Sequence, residues 1–329
     1  MTTFLRLIVV LLCYCSTGVA QVADSLPSAT REQGKGQFLL VDNKYRLWVE
    51  EAGQGDTDLL VLPGGPGNSH KGYEPFLHCL PEHGIRVHVL NMVDCGFSDR
   101  TQDSTRWTLA NYIHDIEVVR KQLGLTRFYL LGHSFGGLIA LEYAKQHSSA
   151  LKGIIISNMT DSWTGLLQNA GNFIDSLSTH DAVSQQLIQQ MRSFDSTSIM
   201  FRRLADRRDS LTGPLYNQAV QLAKSDVVPS LQPFYYPSSD QNLNVFRHFW
   251  QSQEINEWDF RSNLAEMRIP VLLMGGGRDY ALTVNDMNRM KANLPEATLA
   301  FCPQGGHLPF WTETACYYEP LLTFLKARK

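Results

Sequence analysis

The chain has 329 residues, 43% of them hydrophobic and 19% charged, with a formal net charge of -3. Its length and apolar content suffice for one large domain carrying an insertion. The mildly acidic balance excludes a basic nucleic-acid footprint and a polybasic membrane surface.

Residues 1–20 read differently from the rest, with Arg6 ahead of an apolar run from Leu7 to Leu12 and small residues leading to Gly18-Val19-Ala20. This is the pattern of a secretory signal cleaved near Ala20-Gln21, and it is too short for a membrane span. The expectation is an exported soluble protein, periplasmic or extracellular, with no stable membrane insertion after removal of the signal. The mature chain keeps Cys79, Cys95, Cys302 and Cys316. Three full pairings are open to them, and an oxidising compartment favours at least one bridge. Their spacing lacks a CxxC zinc pattern, so no metal is assigned.

Phe38 to Val41 and Tyr45 to Val49 flank Asp42-Asn43-Lys44, which predicts a hairpin at a sheet edge. Leu59-Leu60-Val61-Leu62 then forms a short apolar run that ends in Pro63-Gly64-Gly65-Pro66-Gly67, where a strand gives way to a tight loop. Similar runs recur at Val87 to Leu90, Phe128 to Leu131, Gly153 to Ile156, Pro270 to Met274 and Thr298 to Phe301. Helical spacing separates several of them, with Leu109, Ile113, Ile116, Val119 and Leu123 on one helix and Leu138, Leu141 and Ala144 on another. The alternation predicts an α/β fold whose mostly parallel central sheet is covered by helices on both faces. The rhythm fails over 159–262, where a mainly helical insertion is expected between a first core segment, 35–158, and a second, 263–329. Inside it, the cluster Arg202, Arg203, Arg207 and Arg208, interleaved with Asp206 and Asp209, reads as a solvated helix face. An insertion placed there caps the carboxyl ends of the strands, where open sheets of this kind bind ligands.

Gly132-His133-Ser134-Phe135-Gly136 is a G-x-S-x-G sequence set between the run ending at Leu131 and a helix from Gly137 to Gln146. Small residues on both sides of Ser134 permit the strained strand-to-helix turn that lifts a serine hydroxyl above the sheet. Serine needs a base to take its proton during attack. His307 fits, because Gln304-Gly305-Gly306 delivers it from the end of the last strand. Asp279, just beyond Val271 to Met274 and Gly275 to Gly277, is the preferred acid to orient the imidazole, with Asp161 as the runner-up. Asp286 reads as a surface residue. The oxyanion donors are assigned to the backbone N–H groups of Phe135 and Gly65. Neither glycine run carries a nucleotide fingerprint, and the triad needs no cofactor.

At these residues the chain resembles the proline iminopeptidases, serine aminopeptidases of the α/β-hydrolase superfamily, over roughly Phe38 to the C-terminus. Pro63 to Gly67 is similar to the family's HGGPG loop with proline in the histidine position, and Asp279-Tyr280 and Gly306-His307 match its acid and base. Asn91 to Ser98 matches its DQRGxGxS segment in part, with Asn91 in the first aspartate position and Asp94 in a glycine position. The resemblance implies an α/β-hydrolase fold with an inserted helical cap whose acids hold the substrate's ammonium group. Asp226 falls on one such position, and Glu254 and Glu257 lie near a second. The implied activity is release of N-terminal residues, proline among them, from small peptides. The alternative is an esterase or amidase acting on small neutral acyl substrates.

Overall fold

The computed structural model describes residues 35–177, 182–194 and 242–327, together with positions 200, 203, 204, 207, 208 and 211. The signal expected at 1–20 and Asp226 lie outside the described residues.

Eight strands form one sheet in the order β1-β2-β4-β3-β5-β6-β7-β8. They are β1 (Lys35–Val41), β2 (Tyr45–Ala52), β3 (Thr57–Leu62), β4 (Ile85–Leu90), β5 (Phe128–His133), β6 (Leu151–Ser157), β7 (Val271–Gly276) and β8 (Ala297–Cys302). Only β1–β2 and β2–β4 pair antiparallel, and every later neighbour is parallel. The β1–β2 hairpin turns over Asp42-Asn43-Lys44 between the paired Val41 and Tyr45, with Asp42 and Asn43 at left-handed φ values of 49° and 55° and Lys44 N–H donating to Val41 C=O at 2.9 Å.

Successive residues of the central strands enter two separate cores. Leu60, Leu62, Leu130, Ile154, Ile156 and Leu273 face one side, and Leu59, Val61, Leu131, Ile155, Leu272 and Met274 the other. Both faces are therefore dry, which is why these strands read as unbroken apolar runs rather than as alternating ones. The helices that cover them include α1 (Glu74–Cys79), α2 (Leu109–Gln122) and α3 (Phe135–His147) before the insertion. Within it the structure describes α4 (Trp163–Leu177), α5 (Ala182–Met191) and α6 (Leu243–Gln251), and after it come α7 (Val284–Asn293) and α8 (Thr314–Lys326). Among the described residues no helix is long and apolar enough to cross a membrane.

The insertion enters and leaves through one neck. Phe260 N–H donates to Asp161 C=O at 2.7 Å, Trp163 N–H to Trp258 C=O at 3.1 Å, and Ser162 bridges to Asp259. Its described part is pinned to the early loop by Asn242, whose N–H donates to Gly67 C=O at 3.0 Å and whose side-chain amide donates to Asp94 C=O at 2.9 Å. Aromatic rings fill the space beneath, with Phe249 4.9 Å from Phe135 and Trp250 4.7 Å from Trp163.

Two expectations are corrected here. Arg208 is buried and pairs with Asp175 at the end of α4, so the arginine cluster is not wholly a solvated face. Asp286 is buried rather than superficial, because it closes a capping box with Thr283 at the start of α7 and receives hydrogen bonds from Asn169 and Arg289.

Candidate active site

Ser134 occupies the turn between β5 and α3 with φ 53° and ψ -126°, a left-handed φ that few non-glycine residues adopt. The neighbouring glycines make this turn possible. A Cβ on Gly132 would lie 2.1 Å from the Gly136 carbonyl oxygen, and one on Gly136 would lie 2.2 Å from that of Leu62. The elbow is also fastened to the next strand, since Ser134 N–H donates to Ser157 C=O at 2.8 Å. Although Ser134 stands at the N-cap position of α3, its side chain makes no capping bond. A serine serving only as a helix cap would spend its hydroxyl on those amides. Phe135 opens the helix, so its N–H is among the first-turn amides that have no intrahelical acceptor.

Asp279 and His307 come from the ends of β7 and β8 and meet as the sequence predicts. His307 Nδ1 lies 2.7 Å from Asp279 Oδ2. Burial alone would raise the Asp279 carboxyl, but the charge and hydrogen bond of His307, with further bonds from Asn158 and the Leu282 amide, hold it below the usual carboxylate value. The ionised carboxylate therefore accepts from Nδ1–H and leaves Nε2 of His307 as the basic nitrogen. Two loops dock to fix this pair: Arg278 N–H donates to Gly305 C=O at 2.9 Å, and a disulfide joins Cys302 to Cys316 across the segment that carries His307. Cys79 and Cys95 are free thiols.

Asp161, the runner-up acid, does not approach His307. It is fully buried and accepts from Arg289 at 2.7 Å, a pairing that braces the neck of the insertion against α7. Neither Glu254 nor Glu257 is enclosed. Glu254 is exposed and accepts the Leu109 N–H at the start of α2, and Glu257 is exposed and accepts from Gln253. In the described structure both carboxylates make these local contacts.

Sequence reasoning missed three residues. Asn158, in a left-handed conformation directly after β6, donates to Asp279 Oδ2 at 2.8 Å and to Gly306 C=O at 3.3 Å. An asparagine at a strand end, a residue type tolerant of left-handed φ, was the available signal. Tyr73 and His133 are the other two: Tyr73 Oη lies 2.8 Å from His133 Nδ1, and His133 Nε2 lies 2.8 Å from the His307 carbonyl oxygen. Gly64 N–H also donates to Tyr73 Oη, at 2.6 Å, and a Cβ on Gly64 would lie 2.8 Å from that of Ser134. The glycine-rich loop thus lies directly against the nucleophile elbow. Beneath it, Pro63, Gly64, Gly67, Met92, Tyr112 and Phe135 line a cavity with room for about one water molecule.

Residues 59–314 match the family model described as the alpha/beta hydrolase fold. The proline iminopeptidase of Chitinophaga pinensis is 26% identical over 298 residues, covering 86% of this chain and 94% of that protein. Among solved structures, the proline iminopeptidase of Mycobacterium smegmatis superposes with a TM-score of 0.72 at 20% identity, covering 89% of this chain and 98% of that one. An esterase from Exiguobacterium antarcticum superposes with a TM-score of 0.64 at 22% identity, covering 89% and 100%.

Proposed function

The chain belongs to the alpha/beta hydrolase fold family, and on that premise we propose that it is a serine aminopeptidase releasing N-terminal residues, proline among them, from small peptides. The observation that carries the reading is the 2.7 Å contact of His307 with a buried, ionised Asp279, taken together with an elbow serine whose side chain caps no helix. Ser134 Oγ attacks the carbonyl carbon while His307 Nε2 takes its proton, and Asp279 stabilises the imidazolium. The N–H groups of Phe135 and Gly65 receive the developing oxyanion. Collapse expels the peptide amine, which leaves with the proton held by His307, and water then cleaves the acyl-enzyme by the same steps in reverse. The likeness to proline iminopeptidases over most of both chains supports a free-amine substrate.

An esterase or amidase acting on neutral acyl groups is the second reading. It is favoured by the outward placement of Glu254 and Glu257, which leaves recognition of the ammonium to Asp226. A hydrolysis panel separates the two: an N-terminal prolyl amide, other aminoacyl amides, their N-acetyl forms and short acyl esters. Turnover confined to free-amine substrates is expected, and Asp226→Asn should lower kcat/KM for those more than for the acetylated ones. Preference for acyl esters, with equal losses on both amide classes, would transfer the assignment to the esterase. Export to the periplasm or cell exterior is part of the proposal, supported by the pattern of residues 1–20 and by the Cys302–Cys316 bridge.

A further inference from the structure

Three segments distant in the chain meet behind the nucleophile through a line of hydrogen bonds whose directions are all determined. At one end the His307 carbonyl can only accept, so His133 Nε2 carries the proton. Burial, followed by the charge of His307, pushes the His133 imidazole down to about 3, so it stays neutral and Nδ1 offers only a lone pair. Tyr73 must then donate its hydroxyl proton to Nδ1, which leaves its oxygen to accept the Gly64 N–H. Packing holds the line in place. Phe310, three residues beyond His307, stacks on Tyr73 at 5.6 Å and meets the His133 ring edge-on at 5.1 Å.

We propose that Tyr73 and His133 are positioning residues that clamp the backbone of the general base to the oxyanion loop, with Gly64 N–H consumed by the clamp and Gly65 N–H left to the oxyanion. The inference rests on the serine-hydrolase reading given above. Neither residue touches substrate; each acts through the backbone of a residue that does. A base and an oxyanion donor carried on separate loops must be registered to within a fraction of an ångström, and a displacement of about 1 Å costs on the order of 100-fold in rate. Direct bonding between the two loops would leave their spacing to their own flexibility, whereas two aromatic rings of fixed length set it rigidly.

The test compares Tyr73→Phe, His133→Leu and His133→Gln with the parent protein and with Tyr143→Phe, which also loses a buried hydroxyl bond, to Glu117, but lies outside the clamp. For each, kcat and KM are measured on an aminoacyl amide and a short ester, together with the rate of labelling by a fluorophosphonate and the melting temperature. Tyr73→Phe and His133→Leu should lose about 10- to 100-fold in kcat on both substrates with KM within about twofold, because ground-state binding is untouched. His133→Gln keeps one donor and one acceptor and should recover a large part of the loss. Tyr143→Phe should lower the melting temperature alone. The proposal is overturned if Tyr73→Phe keeps the kcat of Tyr143→Phe, if the loss falls on KM, or if His133→Leu is as active as His133→Gln. Tyr73→Phe removes one oxygen and His133→Gln preserves polarity, so either of them, folded, decides the matter. Ser134→Ala distinguishes the two levels of inference: retained turnover there would sink the serine-hydrolase reading itself, whereas an inactive Ser134→Ala with a fully active Tyr73→Phe sinks only the clamp.

Discussion

Two buried histidines lie on the same sheet, and burial disfavours the charge of both, but only one of them has partners that overturn it. His133, at the C-terminal tip of β5, contacts the Tyr73 hydroxyl and the His307 carbonyl, and burial, followed by the charge of His307, pushes its imidazole down to about 3. His88, on β4 near the antiparallel edge, lies between Glu51 at 2.7 Å and Asp58 at 3.2 Å. Burial also disfavours its charge, but the bonds and charges of Asp58 and Glu51 outweigh burial and raise its pKa above the ordinary value. Arg86 completes that cluster by pairing with Asp58, whose carboxyl is lowered to about 2 against the effect of its burial. Burial opposes the charge in both places and prevails at His133, whereas the two carboxylates beside His88 reverse the sign there. At the tip, a permanent cation beside His307 would oppose the imidazolium proposed to form there. At the edge, a cation offsets two carboxylates that would otherwise repel.

The largest expected effect lies at the tip. Asp279→Asn removes the acceptor that fixes the His307 tautomer, and turnover should fall by about 10^3-fold or more with the fold intact. Asp161→Asn, which breaks the Arg289 pair, should lower the melting temperature and leave turnover near the parent value. Steady-state kinetics with circular dichroism on both variants checks the contrast, and a greater catalytic loss at Asp161 would reverse the assignment of the acid.

At the edge, His88→Gln should cost stability on the order of 2 kcal/mol near neutral pH, because two part-buried carboxylates lose their shared cation. Turnover should not change. The folded pKa of His88 is raised, so its contribution is complete below about pH 6.5, the unfolded value, and disappears as pH rises through the folded value. Denaturant unfolding of parent and variant across pH 6 to 9 should therefore give converging midpoints. A gap that widens with pH would mean that His88 is held neutral.

A third effect has the opposite slope. The folded pKa of His133 is depressed, so its contribution is present above about pH 6.5 and is lost as pH falls towards about 3. His133→Gln should be less stable than the parent at neutral pH and lose that disadvantage in acid. Urea midpoints at a series of pH values between 7 and 4 measure this directly. Parallel curves would show that the imidazole takes up its proton in the folded state as readily as in the unfolded chain.

Much of the fold is local information and was legible in the sequence. A strand buried on both faces is a short apolar run, a nucleophile elbow needs glycine where a Cβ would strike a backbone oxygen, and Asp279 and His307 each follow a strand end at a glycine-rich turn. Parallel strands brought to one edge must present such residues together, so chain order and strand periodicity sufficed to anticipate that Asp279 and His307 meet. Other features arise only once the chain is packed. Tyr73 and His133 are 60 positions apart, Asn158 and Asp279 are 121, and His133 and His307 are 174. Glu254 became the acceptor for the first amide of α2, Arg208 was buried against Asp175, and Asp286 was enclosed as a helix cap. A polar side chain carries no local mark of its eventual partner. The partner is chosen by which unsatisfied donors and acceptors the packed core leaves within about 3 Å of one another, and only the tertiary structure decides that.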